Sequence, residues 1–199
     1  GTDSDRALLL DFQATLETKP EKAIKLEKNA LAQIENITAD NARLVSNLHA
    51  NLGGLYRING HPDLAREHME KSISLLDQFN LLHINDSIPQ IANYAMFLTE
   101  QQEPERGISE LQKLSGIIKE YHSDECLDYA KVQETLATIY LMTANLSHAK
   151  THFKKAFKIY EKIWADEPEM IEAKYREIQE LYPQIGFSIG KTLSGLLTK

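Results

Sequence analysis

The sequence has few of the residues that mark disulfide-bonded, metal-binding or membrane proteins. Cys126 is the single cysteine among 199 residues, so no intrachain disulfide can form and no thiolate metal site is expected. No apolar run approaches the ~20 residues that a membrane-spanning helix needs. With 22 basic and 29 acidic residues the formal net charge is −7, which disfavours nucleic acid because that polymer binds basic surfaces. These deficits predict a cytoplasmic protein that contacts neither nucleic acid nor a membrane.

Prolines are also few, but three of the six recur at one spacing. Pro20, Pro62 and Pro104 lie 42 residues apart, and Leu146 stands at the next position of the series. Proline is tolerated in the first turn of a helix and breaks helix interiors. The series therefore predicts helix starts in an internal repeat of 42 residues.

Columns of other side chains follow the same period. The large apolar columns are Leu52/Tyr94/Leu136, Tyr56/Leu98/Tyr140 (continued by Tyr182) and Met69/Leu111/Phe153. The mostly small columns are Gly53/Ala95/Ala137, Ala65/Gly107/Ala149 and Ser72/Leu114/Ala156. Small residues let paired helices approach closely, and large ones fill the space between them. The first unit fits less well, because Ala14 and Glu27 stand in two of its apolar columns.

Each repeat is predicted to form two helices, since apolar residues recur within it at spacings of three and four. Convincing period-two alternation, the mark of a strand, is absent from the sequence. We therefore expect an all-α protein with one domain over residues 1–199, built of about five helical hairpins. The expected units span residues 3–37, 38–80, 84–121, 123–165 and 167–199. An apolar stripe over residues 185–197 predicts a terminal capping helix.

One repeat carries a motif that resembles the tetratricopeptide repeat (TPR). The motif spacing is carried by Leu52, Gly53, Tyr56, Gly60, Ala65 and Met69. The usual period of this family is about 34 residues, with a tryptophan in the first helix, whereas here the period is 42 and His49 stands in the tryptophan position. The longer period and the Asn-Leu-Gly run at residues 51–53 resemble the kinesin-light-chain type of repeat. The resemblance implies a right-handed superhelical array of antiparallel helix pairs, a non-enzymatic scaffold that binds a peptide or protein segment.

The same resemblance implies that the first helix of each unit lines a concave groove. Asn51 and Asn93, one period apart, would hold a peptide backbone, since an amide offers both donors and an acceptor. Arg57 and Lys131 would meet acidic groups, and Met96 an apolar side chain. The full set of predicted peptide-binding residues is Asn47, Asn51, Arg57, Asn93, Met96, Lys131, Thr135 and Thr138. The alternative for the asparagines is a hydrogen bond to a neighbouring helix or to water.

The sequence offers no pattern that indicates catalysis, a resident metal or another cofactor. His148 and His152 have the spacing of metal ligands on a helix, but the glutamate of a zinc-protease motif is missing between them. Residues 186–192 resemble a phosphate-binding loop, but they have three residues between the glycines where four are needed. A basic stripe over residues 150–162 fits either a solvated outer face or a patch for an acidic partner.

Two further functions stay open at this point. Bacterial peptide-pheromone receptors and some sensor kinases use similar arrays, so the chain could be the partner-sensing portion of a larger bacterial regulator. Its start at Gly1-Thr2, rather than at methionine, leaves room for a longer parent protein. The other function is weak self-association through exposed array ends, which a concentration-independent monomer in light scattering would reject.

Overall fold

The computed structural model describes residues 2–181, and these form nine α-helices and no strand. In chain order the helices are α1 Asp3–Leu16, α2 Pro20–Leu31, α3 Ala42–Ile58, α4 Pro62–Gln78, α5 Ser87–Glu100, α6 Pro104–Tyr121, α7 Leu127–Met142, α8 Leu146–Ile163 and α9 Pro168–Leu181. The fold class is therefore all-α, as the sequence predicts. Among these described helices, none combines the length and the apolar character that a membrane crossing requires.

The chain divides into two compact units, residues 1–98 and residues 99 onward, and α5 runs across the boundary. In the first unit α1 packs against α2, α2 against α3, and α3 against α4. In the second unit α6 packs against α7, α7 against α8, and α8 against α9. Helices that are neighbours in sequence are thus neighbours in space within each unit, as in a helical repeat. Tyr182 and the predicted capping helix at residues 185–197 lie outside the described residues.

The proline series does mark helix starts, which confirms its interpretation from the sequence. Pro20, Pro62 and Pro104 are the first residues of α2, α4 and α6. Proline lacks a backbone N–H, and at the first helical position that group would have no intrahelical partner anyway. Leu146 begins α8 at the equivalent place, where the Asn145 side chain accepts a hydrogen bond from the His148 N–H at 3.3 Å.

The start of α3 differs slightly from the expected unit boundary at residue 38. The Thr38 N–H donates to the Asn41 side-chain oxygen at 2.8 Å, and the Asn41 side-chain nitrogen donates to the Asn36 carbonyl at 2.9 Å. An asparagine side chain that bonds nearby backbone in this way favours a turn over a helix. The helix consequently begins at Ala42.

The large repeat columns form the cores of both units. In the first unit Leu52 and Met69 pack in one cluster with Tyr94, and in the second unit Phe153 lies in a cluster that also includes residues of α7 and α9. Burying a large apolar side chain stabilises a fold by about 1.5–3 kcal/mol, so a repeated column contributes at each repeat. Tyr140 is an exception in its column, because it is only half-buried at the edge of the second cluster.

The small columns permit close helix contact at Gly53. A Cβ atom at this position would lie 2.6 Å from Met69 Cγ and 3.3 Å from the Ala65 carbonyl oxygen. Both distances are too short for an unshifted neighbour, so α3 and α4 can pack this closely only with glycine there. The sequence-based interpretation of this column is confirmed at Gly53.

Candidate functional site

The eight predicted peptide-binding residues all keep some exposed surface. Residues 47, 51 and 57 lie on α3, residues 93 and 96 on the part of α5 that belongs to the first unit, and residues 131, 135 and 138 on α7 of the second unit. Each of the eight is exposed or half-buried, whereas the core column Leu52/Tyr94/Leu136 is buried. The helical period therefore does place the predicted residues and the core residues on different faces.

The amide of Asn51 has partners inside the first unit. Its Nδ2 donates to Asp11 Oδ1 at 2.8 Å and to Glu27 Oε1 at 3.2 Å. Asn51 thereby ties α3 to α1 and α2, which is the structural alternative considered for the asparagines. Glu27 occupies a position whose repeat equivalents are Met69, Leu111 and Phe153, and its side chain is only 1% exposed.

Burial changes the protonation of this carboxyl group. Removal from water, with the nearby charge of Asp11 as the second cause, raises the pKa of Glu27 to about 8. The hydrogen bond from Asn51 opposes the shift but does not cancel it. At neutral pH Glu27 is therefore mostly protonated.

Asn47 belongs to a different polar network, between α3 and the start of α5. Its side-chain oxygen accepts from Gln90 Nε2 at 2.6 Å, and its Nδ2 donates to Asp86 Oδ2 at 3.3 Å. The hydroxyl oxygens of Ser46 and Ser72 lie 2.8 Å and 2.5 Å from Gln90 Oε1. Buried polar groups are costly unless they are paired, so this network fixes how α3, α4 and α5 meet. No local pattern in the sequence predicts this network.

Other predicted site residues of the first unit keep exposed surface near Asn51 and on α5. Asn93 is exposed and Met96 is half-buried. A Cβ atom placed on Gly54, which lies one turn beyond Asn51 on α3, would meet no atom within 4 Å. This face of the first unit therefore presents an amide, a flexible apolar side chain and an open backbone position.

On α7 the predicted site residues make contacts within their own helix. The Thr135 hydroxyl donates to the Lys131 carbonyl at 3.0 Å, and the Thr138 hydroxyl donates to the Glu134 carbonyl at 3.1 Å. Lys131 lies 3.5 Å from Asp128 in an exposed ion pair, which contributes little stability. These threonine oxygens can still accept a hydrogen bond, since a hydroxyl has two acceptor lone pairs.

An apolar stripe on α1 was missed by the sequence analysis. Its members are Leu8, Leu9, Phe12 and Leu16, which are 50%, 58%, 60% and 68% exposed. Their spacing places them on one side of the helix, away from Ala7 and Ala14, which are buried. The spacing of these four residues is visible in the sequence, but it is also the spacing of a buried helix face.

The histidines take part in packing at two equivalent places of the repeat. Nδ1 of His49 lies 2.8 Å from Nδ1 of His68, and Nδ1 of His152 lies 2.9 Å from Gln133 Oε1. Burial is the main cause that lowers the pKa of His49 and of His152 to about 4 in each case. His152 and His148 also stack on the ring of Tyr140. In residues 2–181 there is no group of three or more His, Cys, Asp or Glu side chains that could hold a metal ion.

The basic stripe lies on α8, where residues 155–162 border a cleft of about 340 Å³. Lys162 pairs with Glu125, and Lys119, which also lines the cleft, pairs with Asp124 at 3.0 Å. These acidic partners offset part of the lysine charge. The arrangement fits the solvated outer face better than a dedicated anion site.

Comparisons with known proteins agree with this geometry. Residues 87–162 match the family model described as tetratricopeptide repeat. The structure of BtubC (BKLC) from P. vanneervenii is similar with a TM-score of 0.66 and 19% identity, covering 78% of this chain and 61% of that one. A Podosopora anserina protein described as a kinesin light chain with nearly identical TPR-like repeats gives a TM-score of 0.62 and 15% identity, covering 72% and 68%.

These similarities establish the fold, an all-α array of TPR-like repeats. The present chain matches about three fifths of the length of BtubC, with 61% of that chain covered. A comparison with curated protein sequences gives no match.

Proposed function

We propose that this chain, a tetratricopeptide-repeat protein by the match of residues 87–162 and by its fold, is a non-enzymatic scaffold that binds a peptide or protein segment. The ligand would lie along the first helices of the repeats. Arrays of this kind offer extended surfaces on which a fixed fold carries variable side chains. In this proposal the protein acts in the cytoplasm and without a cofactor.

The observation that carries the proposal is the exposed apolar stripe of α1, formed by residues 8, 9, 12 and 16. Four large apolar side chains on one side of a first helix, each at least half exposed, form a contiguous patch. Such patches on soluble proteins mark surfaces that bind other proteins. The stripe lies on the same kind of helix as the predicted site residues, and it supplies apolar contact area that those mostly polar residues lack.

The predicted site residues would supply orientation and specificity. Asn93, which is exposed, would hold the ligand backbone, and Met96 would adapt to an apolar side chain. Arg57 and Lys131 would meet acidic groups of the ligand. Asn47 and Asn51 would act mainly by holding the helices in place, because their amides already have partners within the first unit.

Site-specific photo-crosslinking tests the proposed surface. A benzophenone amino acid is placed at Phe12 and at Asn93. The control position is Lys113, an exposed residue on α6, which is the second helix of its repeat. We expect a crosslinked partner at positions 12 and 93 and none at position 113. Equal crosslinking at all three positions, or crosslinking at 113 alone, would overturn the assignment to the first helices.

Affinity for the crosslinked partner is then measured with matched variants. Phe12→Ser is expected to weaken binding by about fivefold or more, since truncating a central aromatic contact can cost over ~1 kcal/mol. Leu64→Ser removes an equally apolar exposed residue from the second helix α4 and should leave affinity unchanged. If the captured partner proves to be another domain of a longer parent, the regulator alternative is favoured; a second copy of the chain would favour self-association.

A further inference from the structure

Glu27 breaks the repeat in a way that the scaffold role alone does not explain. Its column is apolar and buried in the next three repeats, at Met69, Leu111 and Phe153. A carboxyl group in such a place costs free energy unless it is well paired. The first unit nevertheless places Glu27 there with 1% exposure. An apolar side chain would fill the column as it does in the other repeats.

The pairing of Glu27 is incomplete. One nitrogen, Asn51 Nδ2, donates to both Glu27 Oε1 and Asp11 Oδ1. The other carboxyl oxygen, Glu27 Oε2, is buried and accepts no hydrogen bond from a donor group. A buried carboxylate oxygen without a donor is rare in native proteins. When Glu27 is ionised, the two carboxylates therefore have more acceptor oxygens than the single Asn51 nitrogen can serve.

The site has its exposed surface at Asp11 on α1 and at Asn51 on α3. Both residues are half-buried, whereas Glu27 is almost fully buried. Leu8 lies one turn before Asp11 on the same face of α1 and is 50% exposed. A ligand that reaches Asp11 would therefore also contact an apolar side chain.

We propose that Asp11, Glu27 and Asn51 form a recognition site for a cationic side chain, a lysine ammonium or an arginine guanidinium, of the segment that the scaffold binds. The inference deepens the proposed function, since it gives the ligand a basic residue next to an apolar one. Ammonium and guanidinium groups carry several N–H donors. They can thereby satisfy oxygens that a single amide nitrogen leaves partly unpaired, and a guanidinium can bond two carboxyl oxygens at once.

The donor set favours an organic cation over a metal ion. In the part of the chain that the structure describes, no three His, Cys, Asp or Glu side chains converge on one point. Calcium commonly takes six to eight oxygen ligands, whereas a guanidinium needs only two well-placed acceptors. Binding of the cation displaces the proton that Glu27 holds at neutral pH, and this proton goes to solvent. One positive charge enters the site as another leaves, so the net charge of the site is unchanged.

The experiment titrates the ¹⁵N-labelled chain of 199 residues with butylguanidinium and, separately, with the neutral analogue butylurea. The reporter is the side-chain amide resonance of Asn51. We expect a saturable shift of this resonance with butylguanidinium and none with butylurea. Calorimetry in two buffers of different ionisation enthalpy should show release of about one proton per cation at pH 7.

Variants at Glu27 separate binding from folding. Glu27→Met introduces the residue found at the equivalent position Met69 and should raise the melting temperature. It should also weaken the binding of butylguanidinium by about tenfold or more, since one partner of a charge pair is lost. Glu27→Gln keeps the side-chain shape and should weaken the binding of the cation to a similar extent. Glu21→Gln, at an exposed acid of the same helix, is the matched control and should change neither quantity.

Four results would overturn the inference: an unmoved Asn51 resonance, an equal response to butylurea, undiminished affinity in both Glu27 variants, or an equivalent saturable shift with calcium chloride. None of these would remove the proposed scaffold function, because crosslinking at Phe12 and Asn93 is measured independently of Glu27. Conversely, butylguanidinium binding without any crosslinked partner would support the cation site and reject the scaffold surface.

Discussion

At the scale of single residues, neighbouring side chains of α3 have opposite roles. Gly53 faces α4, where Met69 and Ala65 leave no space for a Cβ atom, while Gly54 faces open space. Asn51, two positions before Gly53, bonds two carboxyl groups, while its repeat equivalent Asn93 is exposed. Residues that look alike in the sequence therefore differ in what they contribute to stability.

The two glycines give a matched pair of substitutions. Gly53→Ala should destabilise the fold by about 1–3 kcal/mol, because the new methyl group overpacks the α3–α4 contact. Gly54→Ala should stabilise it by about 0.5–1 kcal/mol, since alanine favours a helix and meets no neighbour. Urea unfolding of both variants measures the difference. Similar effects of the two substitutions would contradict the close approach at Gly53.

The two asparagines give a second comparison. Asn51→Ala removes the donor shared by Glu27 and Asp11, so we expect a loss of about 1–3 kcal/mol in the free energy of unfolding. Asn93→Ala changes an exposed residue and should stay within about 0.5 kcal/mol of the parent chain. Thermal unfolding followed by circular dichroism distinguishes them. A stability-neutral Asn51→Ala would show that its hydrogen bonds contribute nothing.

At the scale of helices, the start of each second helix is set by local backbone geometry. His61, before Pro62, has φ −113° and ψ 73°, and Asn145, before Leu146, has φ −89° and ψ 72°. Asn145, the residue before α8, thus has a backbone conformation similar to that of His61, which precedes a proline. The structure accordingly extends the proline series to a helix that begins with leucine.

This geometry predicts that proline is accepted at the start of α8. Leu146→Pro should leave stability unchanged or raise it by about 0.4–1 kcal/mol, because proline reduces the freedom of the unfolded chain. Lys150→Pro, one turn further into the same helix, should cost about 3 kcal/mol or more. Chemical denaturation of the two variants provides the measurement. A large loss with Leu146→Pro would show that α8 depends on the leucine side chain or its N–H.

At the scale of the whole molecule, buried ionisable groups with opposite pKa shifts control how stability depends on pH. The folded-state pKa of His49 and of His152 is about 4, below the ordinary value of 6.5. Their contribution is present above pH 6.5 and is lost as the pH falls towards 4, since the unfolded chain then binds more protons. Glu27 acts oppositely: its raised pKa of about 8 favours folding at low pH, and that contribution is lost as the pH rises from 4.5 through 8.

The pH dependence can be tested at one residue of each kind. His49→Gln introduces the residue found at the equivalent place, Gln133, which already accepts a histidine contact. We expect a smaller loss of stability between pH 6.5 and pH 4.5 in this variant. Glu27→Gln should remove part of the loss between pH 6 and pH 8. Urea unfolding of each variant over its own pH interval measures the change in stability. A pH profile unchanged from that of the parent chain would contradict the buried environment of the substituted group.

The helical content, the repeat period and the buried columns can all be predicted from the amino-acid sequence. Proline at 42-residue intervals fixes helix starts through its missing N–H, and the columns through Leu52 and Met69 fix the packed faces. These features are local or strictly periodic, so each repeat supports the interpretation of the others.

The roles of the polar residues follow from the packing of helices that are distant in the sequence. Asn47 and Asn51 find partners 24 to 43 residues away on other helices, and no local pattern specifies such pairs. The burial of Glu27 and the exposure of the apolar stripe on α1 depend on which side of each helix meets a neighbour. That choice is made by packing between helices, since a helix presents apolar residues to a core and to a partner with the same spacing.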